Sequence, residues 1–189
     1  MNIQRKKIAT GFLFLLAIGI VGFFIYDRSK STSPTDPAVT FFPGNATPSE
    51  ITKVIIQKNG VETIIATPAD SSPDAPNDQS KWVFVSDNNS QADSADINQL
   101  IILLKEMKFR SIASENKNSL ASFDLDEQQA RRVRLFLRGV QVADILVGKG
   151  GPGGASSYVT SDTENKVYLM DRNITILLDL DFHKRSETE

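Results

Sequence analysis

The chain of 189 residues has no cysteine, a single histidine and a single tryptophan. Without cysteine it can make neither a disulfide nor a thiolate metal site, and no lipid can be attached to an N-terminal cysteine. His183 has no second His or Cys to complete a zinc-type ligand set. No repeat of solenoid type occurs. Net positive charge is also missing, since 21 basic residues face 23 acidic ones. Setting aside Arg5, Lys6, Lys7, Arg28, Lys30 and Asp27 leaves 16 basic and 22 acidic, a balance of minus six that argues against nucleic acid as a partner.

One stretch lacks charge altogether: "IATGFLFLLAIGIVGFFIY", from Ile8 to Tyr26. At about 1.5 Å per residue it reaches roughly 28 Å, close to the hydrocarbon thickness of a bilayer. A cleaved secretory signal is the competing reading, but such signals end on small residues, and this run ends on Phe23, Phe24, Ile25 and Tyr26. An uncleaved transmembrane helix over residues 8–26 is therefore expected. Arg5, Lys6 and Lys7 precede it without an acid, which places a basic tail of residues 1–7 in the cytoplasm. The rest of the chain is then extracytoplasmic, on a single-pass anchor in the cytoplasmic (inner) membrane.

Residues 27–50 include "SKSTSPTDPAVTFFPGNATPSE", rich in Ser, Thr and Pro and without periodicity, so they read as a linker. A folded domain is expected over 51–183, with a short tail over 184–189. In "ITKVIIQKNGVETIIATP", Asn59 and Gly60 separate two β-branched runs, the signal for a hairpin on a type I′ turn. "KWVFV" puts Trp82 and Phe84 on one face of a strand. In "ADSADINQLIILLKEMKF", Ile97, Leu100, Ile101 and Leu104 recur at helical spacing behind Asp93 and Asp96, acids that favour a helix N-terminus.

"RRVRLFL" alternates Arg132, Arg134 and Phe136 with Val133, Leu135 and Leu137, the period of a half-buried strand that turns at Arg138 and Gly139. "VADILVG" follows as a strand and "SYVTSDTENKVYLMD" as a hairpin. In "NITILLDLDFHKR" the periodicity favours a strand over a helix. These elements predict an α+β fold: a mainly antiparallel sheet of hairpins packed with one central helix.

Four groups of residues invite a chemical reading. "GKGGPGGASS", Gly148 to Ser157, has Lys149 ahead of its glycines, Pro152 within them and strands on both sides. A phosphate loop needs its lysine after the glycines and a helix to follow, so nucleotide binding is not expected. The glycines read as a mobile hairpin connection that tolerates change. Asp124, Asp126 and Glu127 could supply a carboxylate pair for hydrolysis, and Asp179, Asp181 and His183 a base with its acids. Both sets read more simply as solvated polar residues. Trp82 and Phe84 read as core rather than a sugar-stacking platform. No catalytic residue, cofactor site or metal site is assigned.

The order of "KWVFV", "ADINQLIILLKEM", "FDLDEQQARRVRLFL", "ILVGKG" and "YVTSDTENKVYLMD", behind the early hairpin, resembles a bacterial family catalogued only as domain of unknown function 4340. The resemblance implies an anchored extracytoplasmic α+β domain, a helix at residues 173–183, and a gene neighbourhood of ABC-type transport components related to gliding motility. It implies no catalytic residue. The expected function is a non-enzymatic, membrane-tethered domain that binds an envelope protein, within a transporter-like assembly. The alternative is an envelope hydrolase using the carboxylates of 124–127 or 179–183.

Overall fold

The computed structural model describes residues 41–42, 44, 46–71, 74, 76–161 and 165–183. The expected cytoplasmic tail, the span over 8–26, the linker up to residue 40 and the tail over 184–189 lie outside the described residues. Among the described residues no helix is long and apolar enough to cross a membrane.

Among the described residues eight strands form one sheet: β1 (Lys53–Lys58), β2 (Val61–Ala66), β3 (Val83–Phe84), β4 (Phe109–Ser114), β5 (Arg131–Leu137), β6 (Val140–Gly150), β7 (Ser157–Thr160) and β8 (Val167–Met170). Their order across the sheet is β3-β2-β1-β5-β6-β7-β8-β4, and every neighbouring pair is antiparallel. Among the described residues three α-helices accompany it: α1 (Pro68–Ser71), α2 (Ser94–Glu106) and α3 (Thr175–Leu178).

The turn chemistry is what the sequence predicts. Asn59 and Gly60 have φ of 51° and 77°, and Arg138 and Gly139 have 47° and 82°. Two successive positive values are the mark of the type I′ turn, whose twist matches that of the strands it joins.

Period-two alternation divides the side chains between two faces. The inner face carries Val54 and Ile56, Ile65, Val133 and Leu135, Ile145 and Val147, all buried. Against it lies α2, with Ile97, Leu100, Ile101 and Leu104 buried. The Asp93 side chain caps this helix, accepting from the amides of Ala95 at 3.0 Å and Asp96 at 3.3 Å. Removing such a cap costs about 1 kcal/mol. Trp82 is fully buried and its indole N–H donates to Asn98 Oδ1 at 2.9 Å, so it is a core residue with its polar atom satisfied.

Three features differ from expectation. The core takes in Phe42 and Ala46, which composition alone assigns to the linker; Lys105 holds them, donating to the Ala46 carbonyl at 2.9 Å with its ammonium 5.7 Å from the Phe42 ring centre. β4 was not foreseen, because an edge strand with three exposed residues has little alternation to show. The last element is neither all helix nor all strand. Ile174 and Leu178, four apart, turn into the core as a single helical turn, while Asn173 Oδ1 accepts from the Thr175 amide at 3.1 Å. The chain then turns at Asp179 and Leu180 and reaches a β-bridge between His183 and Ala92.

The outer face is covered differently. Arg132 forms a two-point ion pair with Asp144 at 2.8 and 2.6 Å, Arg134 pairs with Glu62, and Lys53 reaches Asp70 at 2.8 Å. Beneath these side chains Ile55 is buried, although it points away from the helix layer. Farther along β6, the segment Phe123 to Leu125 lies directly over Gly148, where an added Cβ would stand 2.0 Å from the Phe123 carbonyl oxygen.

Candidate functional site

The inner face is not uniformly apolar. The alternation that buries Val54 and Ile56 brings Lys58 to the same face, and the alternation of Val133 and Leu135 does so for Arg131. The two cations adjoin the Gln57–Arg132 pair on neighbouring strands. They need an acid, and residues 171–183 supply it as a strap crossing this end of the sheet. Asp179 accepts from Arg131 Nε and Nη2, both at 2.8 Å, and from Lys58 Nζ at 2.6 Å. Those bonds, Arg131 first, hold its carboxyl below the ordinary carboxylate range.

Beyond the strap, inner-face burial along β2 falls off toward the turn. Ile65 is fully buried, Thr63 half-buried, and Val61 is 67% exposed. A cleft of about 290 Å³ opens there. Its floor includes Ile56 and Thr63, the strap contributes Leu180 and Phe182, and Lys58 and Val61 form the rim.

The far end of the strap is fastened by polar contacts. The Phe182 carbonyl accepts from the Asp93 amide at 2.7 Å. The His183 ring stacks on Phe84 with centroids 4.2 Å apart, its Nδ1 lies 2.5 Å from Asp181 Oδ1, and its Nε2 lies 3.6 Å from Asp87 Oδ2. The hydrogen bond to Asp181 and the nearby Asp87 raise the histidine's pKa, and the same bond lowers that of Asp181. The two carboxylates flank opposite ring nitrogens, so they cannot close on one metal ion with the imidazole. Among the described residues no group of three His, Cys, Asp or Glu side chains could hold a metal.

Asp124, Asp126 and Glu127 are not brought to this site. They follow the Lys117–Phe123 turn on the outer side of the sheet, whereas Asp179 lies on the inner side. Asp124 ends that turn in a left-handed conformation with φ of 56°. Asp126 caps the next turn, accepting from the amides of Gln128 and Gln129, each at 3.0 Å, and from the Gln129 side chain at 2.6 Å. Desolvation acts to raise its pKa, and these hydrogen bonds outweigh it, so the net shift is downward.

The glycine-rich connection is pinned rather than loose, which corrects the expectation of a connection indifferent to its residues. The Gly151 amide donates to the Ser156 carbonyl at 2.9 Å, and Asn173 Nδ2 of the strap donates to the Gly154 carbonyl at 2.8 Å. Gly153 and Gly154 both have positive φ, 75° and 73°. Lys149 does not face the glycines as a phosphate-binding lysine would; its ammonium lies 6.0 Å from the Phe123 ring.

The Lys58, Arg131 and Asp179 cluster escaped sequence reasoning because its members are far apart in the chain. A signal existed: two cations at positions where alternation demands apolar residues.

A family model described as Domain of unknown function (DUF4340) matches residues 82–188. The match spans β3 to the strap and leaves β1 and β2, which carry Lys58 and Val61, outside it. No curated protein matches the chain, and no solved structure does.

Proposed function

The chain belongs to the family described as domain of unknown function DUF4340, and on that premise we propose that it is a membrane-tethered, extracytoplasmic interaction domain serving an ABC-transporter-like envelope assembly. The tether is the uncharged run from Ile8 to Tyr26, oriented by Arg5, Lys6 and Lys7. The transporter setting comes from the resemblance described above.

The observation that carries the interaction reading is how the carboxylates are used. Hydrolysis of a glycoside needs one acid with a raised pKa and a second across a cleft. Here Asp126, Asp179 and Asp181 are all shifted downward by bonds that hold turns and the strap in place, and the two acid groups lie on opposite sides of the sheet. Their work is architectural.

The test is made on the full-length chain in native membranes. The mature protein should keep its N-terminus, resist alkaline extraction and be digested by protease added from the extracytoplasmic side. Amine crosslinking followed by mass spectrometry should then return membrane-transport components. A mature N-terminus after Tyr26, or no envelope protein crosslinked in any of several detergents, would defeat the proposal.

A further inference from the structure

We infer that the cleft between the β1–β2 turn and the strap binds a partner segment in which an aliphatic side chain stands beside a carboxylate. The inference rests on the interaction reading and names the chemistry of the partner. The apolar half of the argument is the graded burial along β2. Alternation sends Val61 toward the core layer, yet neither α2 nor the strap extends far enough to cover it, and it stays 67% exposed beside Leu180 and Phe182.

The charged half is a count of donors and acceptors. Both oxygens of Asp179 are taken: Oδ1 receives Lys58 Nζ and Arg131 Nε, and Oδ2 receives Arg131 Nη2. Two cations thus share one carboxylate, a local excess of one positive charge in a chain whose net charge is negative. Lys58 carries three N–H donors and has one acceptor among the described residues, with its side chain 43% exposed at the rim. A carboxylate arriving there completes the ammonium's hydrogen bonds and neutralises the excess. A second cation would be repelled.

The experiment uses the full-length chain in nonionic detergent micelles with isotope-labelled Ile, Leu and Val methyl groups. Two capped five-residue peptides are titrated: one with leucines flanking a central glutamate and a serine at each end, the other with glutamine replacing the glutamate. The Val61 and Leu180 methyl signals should move with the glutamate peptide. The glutamine peptide should bind about tenfold more weakly, the scale of one charge-assisted hydrogen bond. Lys58→Gln should erase the difference between the two peptides while Arg131 keeps hold of Asp179, and Val61→Asp should weaken both. Equal affinity for the two peptides, signals that move elsewhere in the domain, or none that move at millimolar peptide would overturn the inference. So would shifts that track protein concentration without peptide, which would identify a second copy as the occupant. If the chain ignores the peptides yet still crosslinks to envelope proteins, only this inference falls; if crosslinking also fails, the proposed function falls with it.

Discussion

Arg131 and Arg132 are consecutive, and each grips one aspartate through two hydrogen bonds of 2.6 to 2.8 Å. They point to opposite faces of the same strand. The partner of Arg132, Asp144, sits on β6, which the backbone ladder of the sheet already holds in register. The partner of Arg131, Asp179, belongs to the strap, which among the described residues has no ladder behind it beyond the bridge at His183. The same chemistry therefore decorates structure on one face and attaches it on the other. Geometry at the contact does not reveal the difference; what the partner is otherwise tied to does.

The largest effect that would sharpen this contrast lies on the outer face itself. If that face were decoration throughout, substitutions there would be mild, but Gly148→Ala forces a Cβ to within 2.0 Å of the Phe123 carbonyl oxygen. It should cost about 3 kcal/mol, since backbone has to move to relieve the overlap. Urea unfolding read by the fluorescence of the one tryptophan measures it. A loss below about 1 kcal/mol would mean that the covering segment shifts freely.

The direct test is a pair of double-mutant cycles, Arg131→Ala with Asp179→Ala and Arg132→Ala with Asp144→Ala. The first should show a coupling of about 1 to 2 kcal/mol, since losing either partner frees the same stretch of strap, and the second under about 1 kcal/mol, since the ladder holds Arg132 and Asp144 in register without their pair. Equal couplings would break the comparison.

The smallest effect concerns the strap's far end. His183 has its pKa raised above the ordinary 6.5 by its bond to Asp181, with Asp87 adding to it. Its contribution is therefore complete below about pH 6.5 and is lost as pH rises through the elevated value. Asp181 has its pKa lowered from 3.8 by the same bond, so its contribution is lost as pH falls through that lowered value. Hydrogen exchange at the Asp93 amide, which holds the Phe182 carbonyl, should be slowest relative to the intrinsic rate between about pH 4 and 6.5 and faster by pH 8. His183→Gln should flatten the profile. A wild-type profile already flat would remove the contact from the strap's anchorage.

Much of the fold was legible because alternation and turn residues are local signals. Asn59–Gly60, the inward Val133 and Leu135, and the spacing of Ile97, Leu100, Ile101 and Leu104 each fix their element within a few residues. β4 was illegible because an edge strand buries too little to show a period. The strap kept only part of its signal: Ile174 and Leu178 are spaced for the one helical turn that forms, while the alternation through Leu180 and Phe182 yields no strand beyond the bridge at His183. The site was the least legible part. Asp179 is 48 residues from Arg131 and 121 from Lys58, and no local pattern couples them. The acids that stood out by clustering, Asp124, Asp126 and Glu127, were conspicuous because turns favour such residues.

The strand order also sets how the chain assembles in time. β5 to β8 are consecutive and pair neighbour by neighbour, and so do β1 and β2, whereas β3 joins β2 only after the longer connection that carries α1. Among the described residues the backbone ladder joins the two groups at β1 and β5, where Val54 pairs with Leu135 across more than half of the folded sequence. Closing so long a loop comes late, because its entropy is lost before the contact repays it. In pulse-labelled refolding, amides of β6 and β7 should gain protection before those shared by β1 and β5. The cleft, built from β1, β2 and a strap held by β5, would exist only after that last joining, so a newly made chain would gain its binding surface as its final step of folding.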